Sequence, residues 1–164
     1  MSNNASAQPG VFYSAAKVLS ERATSLWAKL PAAKDNSQWL PLFIHLSDAA
    51  GVAAKLWASW LSDASKRTVT EGFHCCSRTD KVSCEAGALA VFLAASHDLG
   101  KATPAFQIKA LMHHGTALSC GLIDKQIELG LKIRKDLANP NEIYHATASE
   151  LILERNGIGR SLAV

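Results

Sequence analysis

The sequence is short of charged residues, of cysteine pairs and of long apolar runs. Only 19% of its 164 residues are charged and 48% are hydrophobic, which excludes a disordered chain. The longest nearly apolar run, residues 86–95, has about half of the roughly 20 residues that a membrane-spanning helix needs. The polar start MSNNASAQPG has no basic segment leading into an apolar one, so no secretion signal is predicted. We therefore expect a soluble, cytoplasmic protein with a packed core.

The cysteines and the net charge limit two further classes of function. Cys75 and Cys76 are adjacent, Cys84 and Cys120 stand apart, and no C-x-x-C pair offers a zinc site of the usual spacing. We interpret the four as reduced thiols with packing or incidental roles. The formal net charge of +3 is too small to demonstrate nucleic-acid binding, although it is compatible with a polyanionic partner.

Helical spacing of apolar residues dominates the rest of the chain, and strand-like alternation is almost absent. The pattern predicts helices over about residues 14–30, 40–61, 82–98, 104–112, 122–137 and 142–155. It also predicts a polar loop over 62–79 and a disordered segment over 1–12. We therefore expect a single all-α domain that spans residues 1–164.

The strongest chemical signal is the adjacent pair His97 and Asp98 at the end of an apolar predicted helix. Both side chains lose solvation on burial, and a divalent cation that binds both compensates for that loss. The pair also has a purely structural interpretation, in which the imidazole donates to a backbone carbonyl and the carboxylate caps the following turn.

Two further histidines lie on other predicted helices, where they can converge with this pair. His45 is inside the apolar helix over 40–61, and His145 is near the start of the last helix. Asp48, three residues after His45 on the same helix face, can orient its imidazole. Alone, each has another interpretation: His45 as a core histidine, and His145 and Asp48 as solvated surface residues.

Three stretches of the sequence together resemble a known superfamily. They are WLPL (39–42) leading into HLSD (45–48), HDLGKATPAFQ (97–107), and HA (145–146) followed by SEL (149–151). The order resembles that of the HD-domain metal-dependent phosphohydrolases, and more specifically the HD nuclease domain of the type I CRISPR-associated helicase-nuclease. The resemblance covers roughly residues 26–153 and implies an HD-domain helical bundle.

The resemblance also implies a ligand set and its cofactor. His45, His97 and Asp98 would hold one divalent metal ion, and Asp98 would bridge to a second ion held partly by His145. Asp98 and Lys101 would be catalytic, with Lys101 facing the scissile phosphate. Manganese, nickel, cobalt, iron and magnesium are all candidates, and the histidine-rich shell favours transition metals over magnesium.

The family's later ligands have no counterpart in this sequence. In the family, a His-His pair and a final aspartate follow the position matched by His145, and nothing after His145 here can supply them. His113 and His114 form such a pair but precede His145, so we interpret them as loop residues. We therefore expect the second metal site to be incomplete and the activity of this chain alone to be in question.

The resemblance implies hydrolysis of single-stranded DNA, namely the strand displaced when a guide RNA invades a duplex during antiviral defence. It also implies a helicase domain and an RNA-guided surveillance complex as partners. Lys66 and Arg67 are candidate contacts for the DNA backbone, although a charged loop is commonly only solvated.

Two alternatives stay open: an HD phosphohydrolase for small nucleotides, and an incomplete, inactive interaction module. Gly100 and Lys101 do not belong to a phosphate-binding loop, so no ATPase is predicted.

Overall fold

The structure is a computed structural model that describes residues 19–31, 38–74, 82–113 and 116–158. Its helices are α1 (Glu21–Thr24), α2 (Leu42–Ser59), α3 (Asp63–His74), α4 (Val82–Ser96), α5 (Pro104–Gln107), α6 (Lys109–His113), α7 (Ala117–Glu128) and α8 (His145–Arg155), with 3-10 turns at Leu99–Ala102 and Pro140–Glu142. The strands β1 (Trp27–Lys29) and β2 (Leu40–Pro41) form one small antiparallel ribbon. The described part of the chain is thus all-α apart from this ribbon, as predicted. The segment 1–12 lies outside it.

The long helices α2 and α4 pack side by side; α2 carries His45, and the pair His97 and Asp98 directly follows α4. Gly87 lets them approach closely, because a Cβ atom there would lie only 2.6 Å from Nε1 of Trp57. The indole therefore occupies the space above the glycine. Both helices confirm the predictions for residues 40–61 and 82–98, with ends that differ by about two residues.

The predicted helix over residues 14–30 is wrong in its C-terminal half. Among its described residues, helix α1 ends at Thr24 and Trp27 enters strand β1. The side chain of Gln107 explains the change, because its Oε1 accepts from the backbone N–H of Trp27 and its Nε2 donates to the Trp27 carbonyl. Both backbone groups are satisfied by a distant residue, so a tertiary contact overrides the local helical pattern.

The predicted loop over residues 62–79 is also wrong where the structure describes it, since residues 63–74 form helix α3. The hydroxyl of Ser62 accepts from the backbone N–H of Ser65 at 3.1 Å, as an N-capping residue does. Asp63 in the first turn adds a favourable charge at the helix N-terminus. The cap is therefore a sequence signal for this helix, which the polar composition of the segment obscured.

The prediction for the later helices is wrong over residues 129–137, which are not helical, and elsewhere it differs at the helix ends. Helix α7 begins five residues earlier than predicted because Thr116 and Ser119 cap each other reciprocally. It stops at Glu128, and Gly130 follows with a φ of 81°, a conformation that favours glycine. The predicted segment 104–112 is divided into α5 and α6, and α8 starts at His145 because residues 140–142 form a 3-10 turn.

The apolar core lies beside the ribbon and the short helices. Its buried members come from β1, α5, the residue between α5 and α6, α6, α7 and the segment after α7: Trp27, Phe106, Ile108, Ala110, Leu122, Ile123 and Ile133. Trp27 and Phe106 pack with ring centroids 4.6 Å apart. No helix in the described ranges is both long and apolar enough to cross a membrane.

Candidate metal centre

The His97–Asp98 pair lies at the point where helix α4 ends and the chain turns. Helix α4 ends at Ser96, and Asp98 is the N-cap residue of the following 3-10 turn, with φ −112° and ψ 17°. Thr103 then caps helix α5 by accepting from the N–H of Phe106. Two changes of direction within eight residues therefore place His97, Asp98 and Lys101 around one point.

Four side chains converge on the carboxylate of Asp98. Nε2 of His45, Nε2 of His97 and Nζ of Lys101 lie 2.7, 3.1 and 2.8 Å from its Oδ2 atom. Nε2 of His145 lies 3.2 Å from the other oxygen, Oδ1. Helix α2, the end of α4 with its 3-10 turn, and helix α8 thus each bring a side chain to the same carboxylate.

The electrostatics of the cluster favour an ionised Asp98. Burial by itself would raise the pKa of this carboxyl group. Hydrogen bonds from Lys101 and His45, together with the positive charge of Lys101, outweigh that effect and hold the pKa of Asp98 below its usual value. The carboxylate is therefore negatively charged at neutral pH, as a metal ligand must be.

A backbone hydrogen bond fixes the tautomer of His97. Its Nδ1 atom lies 2.7 Å from the carbonyl oxygen of Ala94, and a carbonyl only accepts, so Nδ1 carries a proton. In the neutral ring, Nε2 then has a lone pair that faces the Asp98 carboxylate oxygen at 3.1 Å. Two lone pairs at this distance repel each other unless a proton or a cation lies between them.

The donor set suits a divalent transition metal. One ligand atom from each of His45, His97 and Asp98 lies within 4.8 Å of the other two. Imidazole nitrogens with a carboxylate oxygen are typical ligands of manganese, iron, cobalt, nickel and zinc. The repulsion between the lone pairs of His97 and Asp98 is the kind that such an ion relieves, so these residues fit the expected cofactor.

The cluster has a buried side and an open side. The side chains of Asp98, Lys101 and His45 are 8%, 10% and 16% exposed, whereas those of His97 and His145 are 47% and 41% exposed. The cluster is therefore open to solvent on the side of His97 and His145. Lys101 lies on the inner side, with its Nζ also 5.6 Å from the centroid of the Phe106 ring.

The other predicted site residues that the structure describes form no hydrogen bond or ion pair with the Asp98 carboxylate. Asp48 is exposed on α2 and has no hydrogen bond to His45 or to any other described residue. Lys66 and Arg67 lie on helix α3, half-buried and exposed respectively, rather than in a loop. His113 ends helix α6, and His114 and the side chain of His113 lie outside the described residues.

Ser149 and Phe106 lie next to the centre, and the sequence analysis assigned them no role beyond their place in the motifs. The hydroxyl of Ser149 contacts backbone atoms of His97, Gly100 and His145. The ring of Phe106 meets the imidazole of His145 edge-on, with centroids 5.6 Å apart. The fixed spacing of serine and histidine, four residues apart on one helix face, was the available signal for Ser149.

Comparisons with known proteins found a family model and a relative that match this chain. Residues 27–162 match the family model described as the HD domain of Cas3. Over 139 residues the chain is 32% identical to the CRISPR-associated nuclease/helicase Cas3 of Streptococcus thermophilus. That alignment covers 84% of this chain and 15% of the relative, so the chain spans a small part of the length of that protein. No solved structure matches the chain significantly.

Proposed function

The chain belongs to the Cas3 HD-domain family, and from that premise we propose that it is a metal-dependent nuclease domain of type I CRISPR defence. Its substrate would be single-stranded DNA, and its reaction the hydrolysis of phosphodiester bonds. The observation that carries the proposal is the convergence of His45, His97, His145 and Lys101 on one ionised carboxylate, that of Asp98.

Four side chains of this cluster would bind metal ions. His45, His97 and Asp98 would hold a divalent cation, and Asp98 and His145 would contribute to a second one. A cation bound there would polarise the phosphodiester and favour attack by water. The hydrogen bond from His97 to Ala94 keeps the imidazole in the tautomer that such a role requires.

Lys101 would neutralise charge on the scissile phosphate. In the structure its ammonium group pairs with Asp98 at 2.8 Å and is only 10% exposed. A lysine with three donors on a flexible stem can keep one bond to the carboxylate and offer another to a phosphate oxygen. The lysine would then serve both partners.

The proposed substrate is the DNA strand that a guide RNA displaces from its duplex. A flexible single strand can reach the open side of the cluster at His97 and His145. Phosphate contacts matter more than base contacts for such a substrate, and Lys66 and Arg67 on helix α3 are candidates for them. The relative is named a nuclease/helicase, so a helicase and an RNA-guided complex are the proposed partners.

The test is a cleavage assay with circular single-stranded DNA, run separately with Mn²⁺, Ni²⁺, Co²⁺ and Mg²⁺. We expect nicking and degradation with at least one transition metal, less with Mg²⁺, and none with EDTA. The variant Asp98→Asn should abolish cleavage. Asp124→Asn, at an exposed position on α7 that pairs with Lys135, is the matched control and should cleave normally.

The same assay separates the alternatives. Release of phosphate from mononucleotides without cleavage of the circle would replace the nuclease with a small-nucleotide phosphohydrolase. A chain that binds no metal and cleaves neither substrate would be an interaction module. Either result would overturn the proposal.

A further inference from the structure

Ser149 is the buried residue of helix α8, with 4% of its surface exposed. The hydrogen-bond partners of its hydroxyl are backbone groups rather than side chains. Oγ of Ser149 accepts from the N–H of Gly100 at 2.8 Å, and it lies 2.9 Å from the carbonyl oxygens of His97 and of His145. A single hydroxyl therefore touches the backbone of two candidate metal ligands and of the turn between Asp98 and Lys101.

Gly100 completes this contact between the 3-10 turn and helix α8. A Cβ atom at position 100 would collide with the carbonyl oxygen of His145 and would lie 2.8 Å from the backbone nitrogen of Ser149. Backbone atoms cannot move aside as a flexible side chain can. The glycine thus allows α8 to lie directly on the turn, and the serine hydroxyl satisfies the polar groups that this close approach buries.

From these contacts we infer that Ser149 is a positioning residue, which sets the place of His145 relative to Asp98. The inference rests on the proposed function, because it assigns Ser149 to the metal ligand His145. The hydroxyl has one proton and can donate to only one of the two carbonyls at a time. The hydroxyl of Ser149 therefore links the end of α4 to the first turn of α8. This link places His145 Nε2 at 3.2 Å from Asp98 Oδ1.

A double-mutant cycle on metal affinity separates positioning from general stability. The affinity of Mn²⁺ is measured by calorimetry for the wild-type chain, Ser149→Ala, His145→Ala and the double variant. We expect Ser149→Ala to weaken Mn²⁺ binding roughly 10- to 100-fold, as is usual for residues that orient a ligand. In the His145→Ala background the same change should have no further effect.

Thr147→Ala is the matched control, since it removes a hydroxyl from an exposed position of the same helix. It should leave the Mn²⁺ affinity unchanged. Independent, additive losses from Ser149→Ala and His145→Ala would overturn the inference. So would a Ser149→Ala variant with a lower melting temperature and wild-type Mn²⁺ affinity.

A metal-free measurement keeps this inference separate from the proposed function. The rings of Phe106 and His145 are close enough, at 5.6 Å between centroids, to give nuclear Overhauser effects in EDTA. We expect these effects in the wild type and in Thr147→Ala, and their loss in Ser149→Ala. A wild-type chain that binds no Mn²⁺ would contradict the proposed function alone. Unchanged ring contacts in Ser149→Ala would contradict the positioning role.

Discussion

The ammonium group of Lys101 lies 2.8 Å from Oδ2 of Asp98, the same oxygen that the imidazoles of His45 and His97 contact. The two residues are three positions apart along the chain, and the 3-10 turn between them brings both side chains to the inner side of the cluster. Lys101 is thus the main compensating charge for a carboxylate that is almost fully buried.

Removal of this charge should change the acidity of Asp98. Burial acts to raise the pKa of the carboxyl group, so Lys101→Met should move the Asp98 pKa upward from its lowered value. The measurement is a carboxyl-carbon NMR titration of the metal-free chain in EDTA. Lys109→Met is the control, because the Lys109 ammonium bonds to the Ile143 carbonyl and not to a carboxylate. Equal Asp98 pKa values in all three proteins would contradict the assigned role.

The ion pair between Lys101 and Asp98 also predicts that the free energy of unfolding depends on pH. The folded-state pKa of Asp98 is lowered, so its ionisation stabilises the wild type above the ordinary value of 3.8, and this contribution is lost as the pH falls through the folded pKa. In Lys101→Met the folded pKa moves upward, so this contribution should be smaller, and the unfolding free energy should fall less between pH 7 and pH 3. Urea unfolding of both proteins between pH 7 and pH 3 measures the difference.

Asp48 and Asp98 should differ sharply in their effect on metal binding. Asp98→Asn removes a ligand charge at the centre of the cluster, so its loss of Mn²⁺ affinity should exceed the roughly 10- to 100-fold typical of an orienting residue. Asp48→Asn changes an exposed carboxylate with no bond to His45 and should leave the affinity unchanged. Calorimetry measures both variants. A loss of roughly 10-fold or more in Asp48→Asn would restore the role predicted for it from the sequence.

The sequence predicted the elements whose apolar residues repeat over many turns. Helices α2 and α4 each carry such residues over 15 residues or more, and their bounds agree closely with the pattern. The ribbon could not be predicted, because Trp27 leaves the helical pattern to bond with Gln107, which is 80 positions away. Helix α3 was missed because its segment is polar overall, although Ser62 provides a capping signal at its start.

The candidate site was predictable in its residues but not in its contacts. The histidine and His-Asp spacing named His45, His97, Asp98 and His145, and the structure brings all four together. The pairing of Lys101 with Asp98 depends on a 3-10 turn that has no clear sequence signature. Asp48 is exposed and does not bond to His45, an outcome that the spacing of two residues on one helix does not determine.

Two glycines, one on each of the packed helices α2 and α4, should affect stability in opposite directions when they are replaced by alanine. At Gly87, an added Cβ would lie 2.6 Å from Trp57 Nε1, so Gly87→Ala should cost roughly 1–3 kcal/mol of overpacking against a helix-propensity gain of about 1 kcal/mol. At Gly51, on exposed α2 surface, nothing lies within 4 Å, and Gly51→Ala should stabilise by about 0.4–1 kcal/mol. Urea unfolding compares the two. Equal effects of the two substitutions would argue against close packing of α2 on α4.

Gln107 joins the site to the ribbon through a fully satisfied buried amide. Its Nε2 donates to the carbonyls of Trp27 and Lys101 at 2.9 and 2.7 Å. Its Oε1 accepts from the N–H of Trp27 and from Nε2 of Gln126 at 3.2 and 2.7 Å. Since the side chain is 0% exposed, no water can replace a lost partner without rearrangement.

Gln107→Glu keeps the shape of this side chain but replaces both donors with an oxygen that faces two carbonyls. Each buried group left unsatisfied costs roughly 1–3 kcal/mol, so the variant should lose about 2 kcal/mol or more of unfolding free energy. Gln38→Glu makes the same chemical change at an exposed position and should stay within about 0.5 kcal/mol of the wild type. Urea unfolding at pH 7 measures both. If the two variants unfold at the same midpoint, the amide of Gln107 does not hold the Lys101 turn against strand β1.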